Sequence, residues 1–514
     1  MSKRAAVLAA TLLALTPAAV LAQTTPESAQ ALEQQVREWI TTTLGPSAKI
    51  AKRPIQLTAD GDHYRVAVPF GEAPDSPLVT ATARMTGGGR WAIDDIRLPS
   101  PSEFHVNLPR VSKDGAGKDG AAGGMSGPIT YKLNVGQQAG QILLDPTFAT
   151  SSTSNSTVQN LDLQASGEHL QQTSHLDRGS STTILRPAAS GRVDLLMDTT
   201  LEGYRINSET QGSEPLKLGM GRVRANAEVN GVSRDRTVQI VQALVQIGSA
   251  MQASERSGNA NAAPKLDPNA AQTLLEALAD FASGMSFDES MENLSMTYGG
   301  MSGTLRAARI GFSTKADAGL LQARLDLGAE GLAIPDLPLG AMADLIPSKI
   351  TIRPAVSGVA AADLIKLAKA SENGGSPTPA DIQALFSHGG ITAGIESFAI
   401  DVAGAGFTGM GKFLFTSPQD YSGTAQLTAT NLDLLQQRIA SDPDLAQGLP
   451  VIIFLKGIGR TVNNGMVWDV AYSNGRLLVN NQDLTAMMAG GQGDQGGPKS
   501  PPRGQQQRPS RNRP

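Results

Sequence analysis

The chain contains no cysteine. That excludes disulfides, thiolate-bound zinc, iron–sulfur clusters and thiol nucleophiles together. Histidine is nearly as scarce, at five in 514 residues, which leaves little for imidazole metal chemistry. Aromatic residues make up 4% of the chain, so any core rests on Leu, Val, Ile, Ala and Met. After the first 22 residues no segment approaches the ~20 apolar residues of a membrane-spanning helix. What is abundant is small and apolar. There are 55 glycines and 30 prolines with no collagen-like period, and 40% hydrophobic residues, too many for a wholly disordered polymer. The length suggests about three domain-sized units.

The N-terminus reads as a secretory signal. Lys3 and Arg4 form a positive n-region, Ala5 to Val20 an uncharged Ala/Leu stretch, and Val20-Leu21-Ala22 a small-residue cleavage site before Gln23. Pro17 interrupts the apolar run, which argues against a retained anchor, and the lipobox cysteine of a lipoprotein is missing. A cysteine-free exported chain of this composition is expected in a bacterial periplasm. The expectation is therefore no stable transmembrane span once the leader, residues 1–22, is removed.

Charge is unevenly placed. The formal net charge of -4 becomes -6 without Lys3 and Arg4. The C-terminal stretch carries Lys499, Arg503, Arg508, Arg511 and Arg513 against Asp494, a net of +4, which leaves about -10 on the body. A nucleic-acid binder shows a basic folded face, and none is expected here. Residues 489–514, rich in Gln, Gly, Pro and Arg, read as a disordered basic tail.

The body reads as strands with short helices. Thr25-Pro26-Glu27 starts a helix, and Leu32, Val36, Ile40 and Leu44 follow at helical spacing until Gly45-Pro46. The period then changes to two. Ile55, Leu57 and Ala59 alternate, Asp60-Gly61-Asp62 turns, and Tyr64, Val66 and Val68 alternate back. A second pair flanks Gly87-Gly88-Gly89. Residues 23–110 are expected to form a helix capping a small sheet, and 111–128 a Gly/Ala-rich flexible linker. Alternation restarts at Ile129 to Val135, and Gly140 is read as opening a return strand through Leu144. Further strands are expected at Val193–Met197, Val223–Val229, Leu294–Tyr298, Leu321–Leu327, Phe398–Val402, Lys412–Phe415 and Ala425–Ala429. Helices are expected at Arg236–Met251, Pro268–Ser283, Leu337–Leu345, Val359–Ala370, Pro379–Phe386 and Leu432–Ile439. A strand, a short turn and an apolar helix recur about every 100 residues within 129–488, a pattern of stacking modules. Met466, Trp468, Val470 and Tyr472 alternate into Asn474-Gly475, the two positive-φ positions of a hairpin turn. The apolar run Leu449 to Leu455 fits a buried strand or a helix equally well. The fold class expected is α+β and β-rich: an extended or repeated antiparallel sheet with peripheral short helices.

Chemistry-bearing motifs are sparse. Gly404-Ala405-Gly406-Phe407-Thr408-Gly409 has the spacing of a dinucleotide fingerprint, but Lys412-Phe413-Leu414-Phe415 continues as strand where a phosphate-binding helix has to begin. It reads as a glycine-rich hairpin. Gly124-Met125-Ser126-Gly127 and Gly300-Met301-Ser302-Gly303 place the second glycine too close for a nucleophile elbow and read as turns. His169 and His175, near Glu168 and Asp177, do not have the spacing of a helical zinc site and read as solvated loop residues. His63, His105 and His388 stand alone as turn or strand-edge residues. Asp94-Asp95 lie on an expected strand and so point to opposite faces. The expectation is no catalytic residue, no metal ligand and no cofactor.

Several segments carry a family resemblance. Leu345-Ile346-Pro347 leading into Ile350-Thr351-Ile352, the strand Tyr421 to Leu427, Asn431-Leu432-Asp433-Leu434-Leu435 and the Asn474-Gly475 hairpin resemble the AsmA-like bacterial envelope proteins and their periplasmic relatives. The likeness spans about Gly284 to Leu484 and consists of residue classes, so no functional residue is carried over. AsmA-like proteins keep an N-terminal anchor, from which the cleavable leader here departs. The resemblance implies envelope maintenance by a non-enzymatic exported protein that holds lipid or an envelope partner on a curved sheet. The alternatives are an interaction scaffold with a closed core and a secreted hydrolase.

Overall fold

The computed structural model describes residues 24–44, 52–69, 77–108, 127–147, 150–233, 236, 282–317, 319–337, 340–372, 376–443, 445–463 and 465–485. They build one open antiparallel sheet of 21 strands with short helices, the β-rich α+β class that the alternation implies. The leader, most of the 111–128 linker, the basic tail and the helices expected at Arg236–Met251 and Pro268–Ser283 lie outside the described residues, apart from the ends at 236 and 282–283.

The N-terminal unit forms as its periodicity dictates. Helix α1 (Pro26–Leu44) starts at a reciprocal cap in which the Ser28 amide donates to Thr25 Oγ1 (3.2 Å) and the Thr25 amide to Ser28 Oγ (2.9 Å). Strands β1 (Gln56–Asp60), β2 (His63–Pro69), β3 (Leu78–Gly87) and β4 (Arg90–Arg97) form an antiparallel meander. The stripe Leu32, Val36 and Ile40 packs on Tyr64, Val66, Trp91 and Leu144, a closed core in which Trp91 is nearly inaccessible. β4 and β5 (Ser102–Leu108) share one edge of the next strand, and the Gln138 amide bridges their gap through both polar groups of Leu98.

The body then runs as consecutive long antiparallel strands: β6 (Gly127–Asp145), β7 (Thr150–Ser166), β8 (Leu170–Pro187), β9 (Val193–Thr210), β10 (Leu216–Val232), β11 (Gly284–Tyr298), β12 (Met301–Asp317) and β13 (Leu320–Ala333). A strand of 17 residues such as β7 extends about 56 Å. The sequence expectation needs correction here. Gly140 does not open a return strand, because β6 continues through it for 19 residues. The strands β7 and β8 carry Ser, Thr, Asn and Gln on both faces, so alternation of polarity does not announce them. Only Gly299 and Gly300 form the turn before β12, which starts at Met301.

One register row breaks the ladders of all eight strands. Gly136 and Asn160 sit between the pairs Val135↔Leu161 and Gln137↔Gln159. The same row continues through Asp177, Gly203, Gly221, Asn293, Arg306 and Gly331. Every second strand has a left-handed residue in it: Asn160 (φ 51°), Gly203 (66°), Asn293 (55°) and Gly331 (71°). Each of the pairs β6–β7, β8–β9, β10–β11 and β12–β13 places one glycine in the row. A Cβ on Gly136 or Gly221 would stand 3.1 or 3.0 Å from the Cβ of Asn160 or Asn293, and one on Gly203 would overlap the Asp177 carboxylate. The row is a seam at which local pairing stops and strands bend, as at a β-bulge. It divides the long strands into a short outer panel and a longer inner one.

The inner panel alone continues. Gly331 donates to Ser348 O (2.8 Å), and β14 (Lys349–Ala360) begins one residue later. β15 (Ile391–Val402), β16 (Ala405–Phe415) and β17 (Tyr421–Thr430) follow in order. β18 (Arg460–Val462), β19 (Gly465–Ser473), β20 (Arg476–Val479) and β21 (Gln482–Asp483) close the sheet, with β19 on β17. Asn474 (φ 51°) and Gly475 (73°) make the anticipated hairpin turn.

Helices α2 (Ala361–Glu372), α3 (Pro379–Ala384) and α4 (Leu432–Ser441) lie where periodicity placed them, and α3 starts at a Thr378–Asp381 capping box. The segment expected as a helix at Leu337–Leu345 is a short 3₁₀ turn, Gly340–Leu345. The ambiguous run is helix α5 (Leu449–Ile458).

Candidate functional site

The sheet has two chemically distinct faces. Residues opposite one another in an antiparallel register share a face, and the faces alternate along each strand. One row of the inner panel reads Leu185, Leu195, Val229, Met285, Thr314 and Ala323 across β8 to β13, and continues through Val356, Ala393 and Phe413. Met197, Ala227, Phe287 and Phe312 lie two positions along the strands on the same face. The row between them reads Glu228, Ser286, Ser313 and Arg324, with Lys412 and Thr424 further on, and belongs to the other face. Thus the first face is the more apolar and the second the more polar from β10 onward, while Ile184 and Leu196 bring apolar side chains to the second face at β8 and β9 and Glu289 lies opposite Ile310 on the first.

The apolar face is covered at its two ends, by α1 over Ile142 and Leu144 of β6 and by helices at the C-terminal end. There α4 and α5 seat Leu432, Leu435 and Ile452 on Ala405, Ala429, Trp468 and Val479. The indole Nε1 of Trp468 donates to Leu455 O (2.9 Å), which ties the sheet to the last turns of α5. Over β9 to β12 the apolar side chains stay accessible. Met197 is 42% exposed, Phe287 37%, Ile310 41% and Phe312 38%. Four large apolar residues on β9, β11 and β12, with Ala227 of β10 between Met197 and Phe287 and the two phenylalanines directly paired, form an uncovered patch of the kind that marks a binding surface.

The polar face carries a groove of about 1010 Å³ across β12 to β20. Its floor includes the small residues Ala355 and Gly394, and its walls carry Lys315, Arg324, Glu396, Lys412, Gln426 and Asp469. Arg324 pairs with Glu396 (2.9 Å). Asp469 accepts from Gln426 (2.8 Å) and Arg460 (2.8 Å), which together hold its carboxyl below the ordinary aspartate range. Asp469 is thereby held in its ionised, hydrogen-bonded form. The groove has the chemistry to hold a polar or anionic group through its lysines.

Of the histidines, His175 is the one that the fold places in a cluster. It lies on β8, not in a loop as its sequence context suggests. Its Nδ1 is 2.6 Å from Asp162 on β7, and its Nε2 is 2.8 Å from Asp177. Arg205 on β9 donates to the same Asp177 oxygen (2.6 Å). The Asp162 and Asp177 carboxylates hold the imidazole pKa above its ordinary value, and His175 followed by Arg205 holds that of Asp177 below. Asp177 is itself a seam residue and lies over Gly203. The group is an electrostatic clasp across three strands beside the seam. No group of three or more His, Cys, Asp and Glu able to hold a metal occurs among the described residues.

The remaining sequence candidates stay apart. His169 lies in the turn between β7 and β8 with its Nδ1 against Gln211 Oε1, well away from His175's clasp. His63 starts β2 beside Asp60 and Asp62, His105 lies on β5 beside Thr130, and His388 faces Asp363 (3.3 Å). Asp95 is left-handed (φ 52°), so the alternation expected of Asp94-Asp95 fails there, and the two pair with Gln141 and Arg97 respectively. The glycine-rich Gly404–Gly409 segment opens β16 after a turn at Ala403 and Gly404, a hairpin as anticipated. The Ser126 motif falls outside the described residues. No described helix is long and apolar enough to cross a membrane.

Comparison with known proteins adds no neighbour: no family model, no curated protein and no solved structure matches the chain.

Proposed function

We propose that this is a non-enzymatic exported protein of the bacterial envelope that holds an apolar ligand, an acyl chain of a lipid or the apolar surface of an envelope partner, on the uncovered part of its sheet. The carrying observation is the patch of Met197, Phe287, Ile310 and Phe312 on the apolar face. Burying one such side chain is worth about 1.5–3 kcal/mol, so a ligand covering the patch gains substantially. The leader-like N-terminus and the residue-class resemblance to AsmA-like proteins support the location. A second reading, an interaction scaffold, draws on the closed cores at both ends of the sheet.

Native mass spectrometry of protein purified from its host tests the first reading. Lipid adducts that disappear in Phe287→Ser/Phe312→Ser support it. A lipid-free spectrum together with a stoichiometric protein partner favours the scaffold.

A further inference from the structure

The groove on the polar face differs in charge from the body that carries it. The body bears about -10, yet Lys315, Arg324 and Lys412 all line this groove. Its two carboxylates are already engaged. Glu396 pairs with Arg324 (2.9 Å), and Asp469 pairs with Arg460 (2.8 Å) and accepts from Gln426. Lys315 and Lys412 are exposed, and neither forms an ion pair with any described residue. Two cations are left over in one groove.

The register shows how the fold gathers them. Arg324, Ala355, Gly394, Lys412, Thr424 and Ala471 are successive partners across β13 to β19. Lys315, Gln322, Ser357 and Thr392 form the next row on the same face. The small Ala355 and Gly394 lie between Arg324 and Lys412, so the floor is low and the long side chains stand at its sides. A Cβ on Gly394 would overlap the Gly411 carbonyl, so β15 and β16 approach closely there. Register shifts at Arg353/Pro354 and Ile395/Phe398 bend strands across the same span.

The lining narrows the class of occupant. Ser313, Ser357, Thr392 and Thr424 offer hydroxyls and Gln322 an amide, groups that donate and accept as sugar hydroxyls do. Among the described residues no aromatic side chain lines the groove, so a nucleobase finds no stacking platform. The strands of the floor are paired on both sides, so a peptide has no edge to join as an added strand. We propose that this groove binds a saccharide bearing phosphate or carboxylate groups. Lys315 and Lys412 take its charge, and the Ser, Thr and Gln side chains take its hydroxyls. The site lies on the opposite face from Phe287 and Phe312 and does not depend on the apolar ligand, so Phe287→Ser/Phe312→Ser should leave it intact.

Isothermal titration calorimetry of the full chain at low salt tests this with fructose bisphosphate, tetragalacturonate, maltotetraose, inorganic phosphate and hexaglutamate. At least one of the two anionic saccharides is expected to bind, and uncharged maltotetraose roughly tenfold more weakly or worse. Which of the two binds separates a phosphorylated ligand from a carboxylated one. Lys315→Gln/Lys412→Gln is expected to weaken that binding roughly tenfold or more. Ala355→Leu raises the floor without altering charge and is expected to weaken it too. Lys217→Gln, on β10 outside the groove, is expected to leave it unchanged. Far-UV circular dichroism checks that each variant is folded. Failure of both anionic saccharides to bind overturns the proposal, as does unchanged binding by the folded double lysine variant or an equal loss in Lys217→Gln. Inorganic phosphate or hexaglutamate binding as tightly as the saccharides overturns it as well, the latter by putting an acidic peptide in the groove.

Discussion

At the residue scale the seam carries the sharpest constraint. Asn160 and Asn293 adopt left-handed backbone inside long strands, and each faces a glycine whose added Cβ would come within 3.1 or 3.0 Å of the asparagine Cβ. Gly203 and Gly331 reverse the arrangement, with Asp177 and Arg306 supplying the side chain. Gly203→Ala should therefore cost more than a turn glycine, since it adds overlap with Asp177 to backbone strain. We expect a loss of about 2–4 kcal/mol in urea unfolding, against about 1 kcal/mol for Gly212→Ala, whose added Cβ meets open space. Equal losses would show that Asp177 moves aside freely. His175 gives a pH signature beside the same seam. Its folded pKa is raised, so its contribution is fully present below the unfolded value of about 6.5 and is lost as pH rises through the folded value. Its NMR titration midpoint is expected above 6.5 and should fall in Asp162→Asn, which removes the first cause of the shift. Asp177 has the opposite sign: its depressed pKa stabilises above the unfolded value near 3.8, and that stability goes as pH falls through the folded one. A His175 midpoint unchanged by Asp162→Asn would exclude the clasp in solution.

At the scale of elements, periodicity works wherever one face is dry. Leu32, Val36 and Ile40 announce α1, and Tyr64, Val66, Trp91 and Ile93 announce the strands beneath it, because each side chain ends in one core. Trp91→Ala should cost about 3–5 kcal/mol in chemical denaturation, while Met410→Ala, 59% exposed on the polar face, should stay within about 0.5 kcal/mol. A small effect at Trp91 would mean that the α1 core is not cooperative with the sheet. Helix α5 shows where pattern runs out. Leu449 to Leu455 is apolar in every direction, and only the seating of Ile452 and the bond from Trp468 to Leu455 distinguish a helix from a strand. The strands β7 and β8 were illegible for the converse reason. Their Ser, Thr, Asn and Gln residues form ladders with neighbours that supply the backbone partners, so no local contrast of polarity is needed.

At the scale of the whole molecule, each long strand touches the strands before and after it, and few contacts join distant parts. The N-terminal and C-terminal cores are separate clusters on one continuous sheet. Such arrays approach nearest-neighbour energetics, in which regions melt at their own midpoints. Variants retaining only Trp91 or only Trp468 should therefore report different urea midpoints by fluorescence. Coincident transitions would show instead that the seam and ladders couple the ends into one cooperative unit. The absence of cysteine makes spin labels at introduced sites on the two panels a clean way to ask whether their separation changes on ligand binding.

By itself the amino-acid order determined the β-rich class, the capped N-terminal helix, the tight hairpins at Asp60-Gly61 and Asn474-Gly475, and the poverty of reactive side chains. These are local properties of spacing, turn conformation and composition. Only the tertiary structure decided that Gly136, Asn160, Asp177 and their counterparts share one row, that His175 lies between two carboxylates, and which apolar residues remain uncovered. Those facts depend on register between segments far apart in the chain, where a shift of one residue would exchange the two faces of a strand.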